Sequence, residues 1–416
     1  MNKTSAAARA PLGLVALLSV ALLINYVDRG SIAIAAPLLE KELSLSASEM
    51  GWVLAVFYWA YAPMQPVMGW LADRLGPARV LAGGFLLWSL ATATTGLVGG
   101  IVALIALRML MGVGESTFYP SALSLLSRNV APSQRARATA TMQFGAVIGP
   151  AIGTLLGGLI MVRYGWRAMF LVMGLASMLW LIGWRRWMRS AQGSAPPQTG
   201  ENPPYWLILR QRALWGGMMG TFCSNYAFYF VFSWLPLYLV HERGLSLAVM
   251  TEAASAFYVA DGASVLAAGW LLDRAITRGA SFNRAYKTAL ALSSAGVGLC
   301  LIASSVVTGL VAAAAILLLT GVMDGLNSPS NPSVTQTFAG PRATGRWMGI
   351  QNAVGNVAGM TAPVVTGYLV QHTGHYTSAL IVSGVVALFG LVAWLVVVPE
   401  VRPIDWAAEL ARTTRR

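Results

Sequence analysis

Twelve predominantly apolar stretches of about 20 residues or more run through the chain, near 12–36, 50–71, 78–99, 101–127, 139–162, 166–188, 214–240, 248–272, 284–304, 309–336, 344–371 and 376–399. Each is long enough to cross a bilayer as a helix, and in hydrocarbon a helix satisfies its own backbone hydrogen bonds. Charged residues make up only 10% of the sequence, against roughly 25% in a soluble domain. The chain is therefore predicted to be an all-α membrane protein of twelve transmembrane helices. Cys223 and Cys300 both fall inside apolar runs, which offers no disulfide framework. His241, His372 and His375 stand near helix ends with no accompanying ligand cluster, so no metal site is expected.

The distribution of basic residues orients the helices. With the N-terminus in the cytoplasm, 22 of the 28 Lys and Arg residues fall in cytoplasmic segments. Lys41, Arg163, Arg167 and Arg243 fall outside, and Arg29 and Arg108 within the membrane. That bias places both termini in the cytoplasm of an inner-membrane protein. It also accounts for the net charge of +13 without nucleic acid.

The polar, turn-rich stretch 190–204 divides the twelve runs into two sets of six. Residues 1–188 read as an N-terminal six-helix bundle, 189–212 as a cytoplasmic linker, 213–403 as a C-terminal six-helix bundle and 404–416 as a cytoplasmic tail. The halves repeat: Gly69-Trp70-Leu71-Ala72-Asp73-Arg74 and Gly269-Trp270-Leu271-Leu272-Asp273-Arg274 match at five of six positions, 200 residues apart. Paired six-helix bundles with a midplane site are the architecture of a rocking transporter.

Four charges interrupt the apolar pattern where it should be purest. Asp28 and Arg29 lie in the first run, Arg108 and Glu115 in the fourth. A charge at the centre of a membrane helix costs about 2.5–3.5 kcal/mol on insertion scales. Such residues therefore face one another or a wet cavity and mark ion and substrate pathways. Their formal charges sum to zero, and the seven-residue spacing puts Arg108 and Glu115 on one helix face, where the two are expected to pair. Asp28 and Glu115, set between burial and nearby arginines, are candidate proton carriers. Arg29 offers a planar fork suited to a carboxylate. The alternative is a structural salt-bridge cluster stabilising the first bundle.

Further candidates lie along the other helices. Tyr26 and Tyr61 carry phenolic hydroxyls at membrane depth, where they either bond substrate or simply pack. Gln143, Ser328, Asn352 and Asn356 are polar residues at similar depth on helices 5, 10 and 11, where interhelical hydrogen bonding is one reading. Asp73, Arg74, Asp273 and Arg274 close helices 2 and 8 and read as interdomain latches, a gating role. The run Asn327-Ser328-Pro329-Ser330-Asn331-Pro332 predicts a break in helix 10 lining a cavity. Gly145, Gly149, Gly153 and Gly157 form a four-residue stripe for close helix packing. Asp261 and Asp324 are two more intramembrane acids, read as extra proton or cation positions or as hydrated cavity residues.

The segment Gly69-Trp70-Leu71-Ala72-Asp73-Arg74-Leu75-Gly76-Pro77-Ala78-Arg79 resembles the loop 2–3 signature of the major facilitator superfamily. Asn25-Tyr26-Val27-Asp28-Arg29 resembles the helix 1 signature of its anion:cation symporter family. Arg108 through Glu115 with Tyr119-Pro120-Ser121 resembles that family's helix 4. Asn225-Tyr226 with Trp234-Leu235-Pro236, and Gly345 through Asn352, are similar to its helices 7 and 11. Bacterial galactonate, hexuronate and glucarate transporters, sialin and the vesicular glutamate transporters belong there. The resemblance implies a proton-coupled symporter of an organic anion such as a hexonate or hexuronate, with Asp28 and Glu115 as proton carriers and Gln143, Ser328, Asn352 and Asn356 as sugar-acid contacts. Expected partners are a small organic anion, protons and the lipid bilayer; the protein is read as a monomer without cofactor. Another carboxylate, aromatic or short, is the alternative cargo. A drug exporter fits two buried arginines poorly. A non-transporting sensor lacks a signalling domain, and an enzyme lacks a convergent catalytic set.

Overall fold

The computed structural model describes the backbone of residues 4–130, 132–190 and 203–414, and every side chain there except those of 4–11, 73, 127–128, 132–137, 190, 273, 341–342, 344–345 and 412–414. The described secondary structure is helical throughout. It runs α1 (Thr4–Leu43), α2 (Ala47–Leu75), α3 (Pro77–Thr95), α4 (Ile101–Glu115), α5 (Phe118–Asn129), α6 (Pro132–Ser177), α7 (Trp180–Ser190), α8 (Tyr205–Leu209), α9 (Arg212–Leu237), α10 (Leu247–Thr277), α11 (Phe282–Ser304), α12 (Leu310–Gly325), α13 (Asn327–Thr373), α14 (Thr377–Val392) and α15 (Trp406–Thr414). Wider π-helical turns, Tyr238–Glu242 and Ala393–Val397, extend α9 and α14.

Among the described residues, eight segments are long and apolar enough to cross a membrane, and one of them, Ala138–Arg189, turns at Gly165 and so holds two crossings. With α2, α3 and α9, of 29, 19 and 26 residues, the crossings number twelve, as the apolar pattern predicts. The turns rest on local chemistry. Ser46 and Glu49 form a reciprocal capping box at the head of α2, satisfying two otherwise orphaned N–H groups. Gly165 (φ 82°) and Gly340 (φ 61°) reverse the chain at backbone angles that a side chain would oppose. Outward faces stay apolar: Val102 and Val311 are 80% and 85% exposed, as suits a lipid-facing surface.

The predicted break at 327–332 is not formed. Leu326 keeps helical angles (φ −66°, ψ −27°), and α13 runs on from Asn327 until the turn at Gly340. Pro329 falls in the first turn, where its missing N–H costs little. Ser330 and Ser333 donate back to the carbonyls of Leu326 and Pro329, each at 2.7 Å.

The chain forms two compact units. Of the described residues, one holds those up to 190 together with Phe232–Tyr258; the other holds 203–231 and 259–414. The segment Phe232–Tyr258, placed by sequence in the C-terminal bundle, thus groups with the first unit. Residues 191–202 of the linker lie outside the described residues.

The glycine stripe organises the first unit. A Cβ on Gly145 would collide with Ser19 O, one on Gly149 would lie 2.8 Å from Tyr26 Cβ, and one on Gly153 would lie 3.0 Å from Val27 Cα. Helices α1 and α6 therefore pack backbone to backbone, which fixes how α1 presents Asn25 through Arg29. Close approach also sets α4, where Gly112 meets Phe57 O and Gly114 meets Gly84 O. In the second unit, Trp347 and Trp394, each 1% exposed, anchor a core with Leu214, Leu290 and Phe338.

Candidate functional site

The first unit gathers the intramembrane charges into one buried cluster. Asp28, Arg29, Arg108 and Glu115 are 1%, 4%, 4% and 0% exposed. Arg29 spends its fork on two neighbours: Nε and Nη2 donate to Glu115 Oε2 at 2.9 and 2.6 Å, and Nη2 donates to Asn25 Oδ1 at 2.9 Å. Aromatic rings enclose the guanidinium, with the centroids of Tyr26, Phe57 and Tyr61 at 5.0, 4.8 and 4.8 Å. Such faces stabilise a cation that has lost its water.

The expected pairing of Arg108 with Glu115 is not the one formed. Arg108 donates to Val53 O and Met111 Sδ, each at 3.4 Å, and stands over Phe57 at 5.0 Å. Two helical turns separate it from Glu115 on α4, whereas Arg29 reaches Glu115 straight across from α1. The shorter, two-pronged contact wins because a buried carboxylate gains most from a charge-assisted fork.

Two details bear on proton chemistry. Glu115 Oε1 is buried with no partner among the described residues, although Oε2 takes both Arg29 donors. Ser177 Oγ lies 2.8 Å from Met173 O and 3.2 Å from Asp28 Oδ2. A hydroxyl has one proton to give. Ser177 thus divides that proton between the Met173 carbonyl and the Asp28 carboxyl.

Of the remaining candidates, Tyr26 and Tyr61 join this cluster directly. Gln143 stands at its edge, accepting from Tyr119 OH at 3.2 Å. Ser328, Asn352 and Asn356 belong to the second unit. Asn356 is buried and accepts from Tyr229 OH at 3.0 Å, whereas Ser328 and Asn352 are exposed. Arg74 and Arg274 stack on Trp70 and Trp270 at 4.4 and 5.1 Å, one arrangement in both repeats. The side chains of Asp73 and Asp273 lie outside the described residues. His241, one of the helix-end histidines, sits 3.5 Å from Glu40.

Several participants carry no charge and escaped the sequence reading. Asn25, Tyr119 and Gln351 stood only as signature positions, and Ser177, Thr221 and Tyr229 carried no signal. Gln351 is a hub in the second unit. Its Oε1 accepts from Thr335 Oγ1 and Trp347 Nε1 at 2.9 and 3.1 Å, and its Nε2 donates to Thr221 Oγ1 and Asn331 Oδ1 at 2.7 and 2.8 Å.

A family model described as Major Facilitator Superfamily matches residues 18–363 and 253–414. The chain is 28% identical to the hexuronate transporter of Bacillus subtilis (strain 168), covering 92% of each chain. It is also 28% identical to a probable sulfoacetate transporter of Cupriavidus necator, over 90% of this chain and 91% of that one. Identity to the D-galactonate transporter of Escherichia coli O6:H1 is 26%, over 92% and 95%. A solved bacterial homolog of the human lysosomal transporter Spinster, described as inward-facing and unoccupied, shares the fold with a TM-score of 0.76 at 16% identity, covering 98% of each chain. The chain belongs to the Major Facilitator Superfamily, and its relatives are named as transporters rather than enzymes.

Proposed function

On the premise of that membership, we propose that this protein is a proton-coupled symporter that carries an organic anion, a sugar acid such as a hexonate or hexuronate, by alternating access. It works as a monomer in the inner membrane with both termini in the cytoplasm. The reading is supported chiefly by the buried Arg29–Glu115 pair, which joins a guanidinium fork at membrane depth to a candidate proton carrier. Protonating Glu115 releases its hold on Arg29 and leaves the cluster positive. A substrate carboxylate then takes the place of the Glu115 carboxylate on the fork. Loss of the proton restores the ion pair and expels the anion. Coupling is thus a competition between two carboxylates for one arginine.

Asp28 supplies a second proton position, one residue before Arg29 and likewise buried. Tyr26, Tyr61, Gln143, Ser328, Asn352 and Asn356 are assigned to polar contacts with substrate hydroxyls. Arg108 tunes the cluster's charge, held apart from Glu115. Asp73, Arg74, Asp273 and Arg274 act in gating. The hexuronate and D-galactonate relatives favour a sugar acid. A second reading, a smaller anion, rests on the sulfoacetate relative at the same identity.

A thermal-shift screen of purified protein against hexonates, hexuronates, aldarates, sulfoacetate and aromatic carboxylates tests the cargo. A ligand that binds only the folded state raises the melting temperature by mass action. Sugar acids are expected to stabilise the protein. A response confined to sulfoacetate or aromatic acids replaces the sugar-acid reading.

A further inference from the structure

Two intramembrane acids remain outside the Arg29 cluster, Asp261 on α10 and Asp324 on α12, both in the second unit. Their helices touch backbone to backbone here. A Cβ on Gly325 would lie 2.6 Å from Asp261 O and 2.6 Å from Ser264 Cβ, and Ser264 Oγ donates to Val322 O at 2.5 Å. This contact sets residues 261 and 324 side by side on facing elements. Asp261 Oδ1 is buried and has no hydrogen-bond partner among the described residues.

Among the described residues, the elements around the two acids supply no nearby counter-charge. From α10 itself, Glu252 and Arg274 stand far along the helix on either side. On α11 the charged side chains, Arg284 and Lys287, lie in its first two turns, with Lys287 Nζ donating to Val398 O at 2.6 Å, and Cys300 faces Thr320. The part of α13 that follows, 327–340, carries no titratable residue.

We propose that Asp261 and Asp324 form a carboxylate pair that holds one proton between them, a protonation site additional to Asp28 and Glu115. Two carboxylates in a water-poor site cannot both stay ionised, so they titrate as a unit. A shared proton gives Asp261 Oδ1 the donor it lacks and halves the charge left in the membrane. The proton moves from bulk water onto the pair and back, with no bond between heavy atoms made or broken.

Infrared spectroscopy of the purified full-length protein reads this directly and requires no substrate, so it stands whether or not the uptake reading holds. Labelling aspartate with carbon-13 separates its protonated-carboxyl band from that of glutamate. At neutral pH the Asp28→Asn protein is expected to keep such a band, which Asp261→Asn/Asp324→Asn in the same background removes. Either single substitution relieves the like-charge repulsion and should move the band's titration midpoint down by one pH unit or more. If the double variant fails to fold, the labelled Asp28→Asn protein alone decides, because its other aspartates, Asp73, Asp273 and Asp405, lie at helix ends or in the tail. No protonated band at neutral pH, or a band untouched by the double substitution, overturns the proposal. Loss of the band on adding sodium at constant pH also overturns it, in favour of a metal cation.

Discussion

Arg29 and Glu115 meet through two hydrogen bonds of 2.9 and 2.6 Å, with both side chains sealed from solvent. Each holds the other's charge, and under the proposed mechanism an entering anion displaces Glu115 from the fork. An arrangement built only for stability would serve as well with apolar packing, since buried ion pairs are seldom net stabilising against an apolar replacement.

Arg29→Lys tests the fork. Lysine keeps the charge and gives up the planar, two-pronged geometry. Affinity for the stabilising anion should fall at least tenfold, about 1.4 kcal/mol, while the protein stays folded. Arg29→Ala goes further: it strands the Glu115 carboxylate, at a cost of about 3–5 kcal/mol. Isothermal titration and melting curves of both variants check the two effects. Unchanged anion affinity in Arg29→Lys removes Arg29 from the binding role.

Helix packing behind the cluster is open to a separate test. Gly145→Leu places a side chain where Ser19 O now sits. Overpacking costs about 1–3 kcal/mol, more where backbone must move. The variant should melt lower and lose anion binding although no charged residue has changed. A Gly145→Leu protein that binds normally disconnects the α1–α6 contact from the site.

The charged cluster and the glycine stripe were legible because each breaks a pattern: charge within apolar runs, and small residues at every fourth position. The twelve crossings and the repeat were legible for the same reason. Glu115's partner was not. Spacing along α4 pointed to Arg108, but the choice belongs to tertiary geometry, where α1 brings Arg29 nearer. Helix 10 misled in another way, since Pro329 and Pro332 read as a break until the first-turn position of Pro329 is seen. Gln351 was silent because an uncharged amide looks alike whether it serves as a hub or faces lipid.

That hub and its neighbour on the helix give contrasting expectations. Gln351→Ala strands polar groups on Thr221, Asn331, Thr335 and Trp347, and each unsatisfied buried group costs about 1–3 kcal/mol. A large drop in melting temperature follows. Asn352→Ala, at an exposed position, should melt like the wild type. Equal effects in the two variants contradict the assignment of Gln351 as the structural residue.

At the head of α2 the Glu49 carboxyl is held below its usual range by the Ser46 backbone N–H and then by the Ser46 hydroxyl. A depressed carboxylate stabilises the fold above its unfolded pKa, and the effect is lost as pH falls through the folded value. The stability advantage of wild type over Ser46→Ala should therefore be full near pH 6 and shrink toward about pH 3, around and below the ordinary glutamate value of about 4.3. Melting curves across that range check it. A constant difference at all pH values contradicts the capping-box contribution.

Proton movement with the anion is the most direct test of the central proposal. Protein in vesicles holding a pH-sensitive dye receives the sugar acid that stabilises it in the melting screen, with no gradient imposed. The wild type should acidify the vesicle interior as labelled anion enters and should accumulate that anion when an inward proton gradient is applied. Glu115→Gln, locked in the form that frees Arg29, should bind the anion and exchange labelled for unlabelled, yet neither acidify the interior nor accumulate substrate. Anion entry without acidification in the wild type, or undiminished gradient-driven accumulation in Glu115→Gln, contradicts the account.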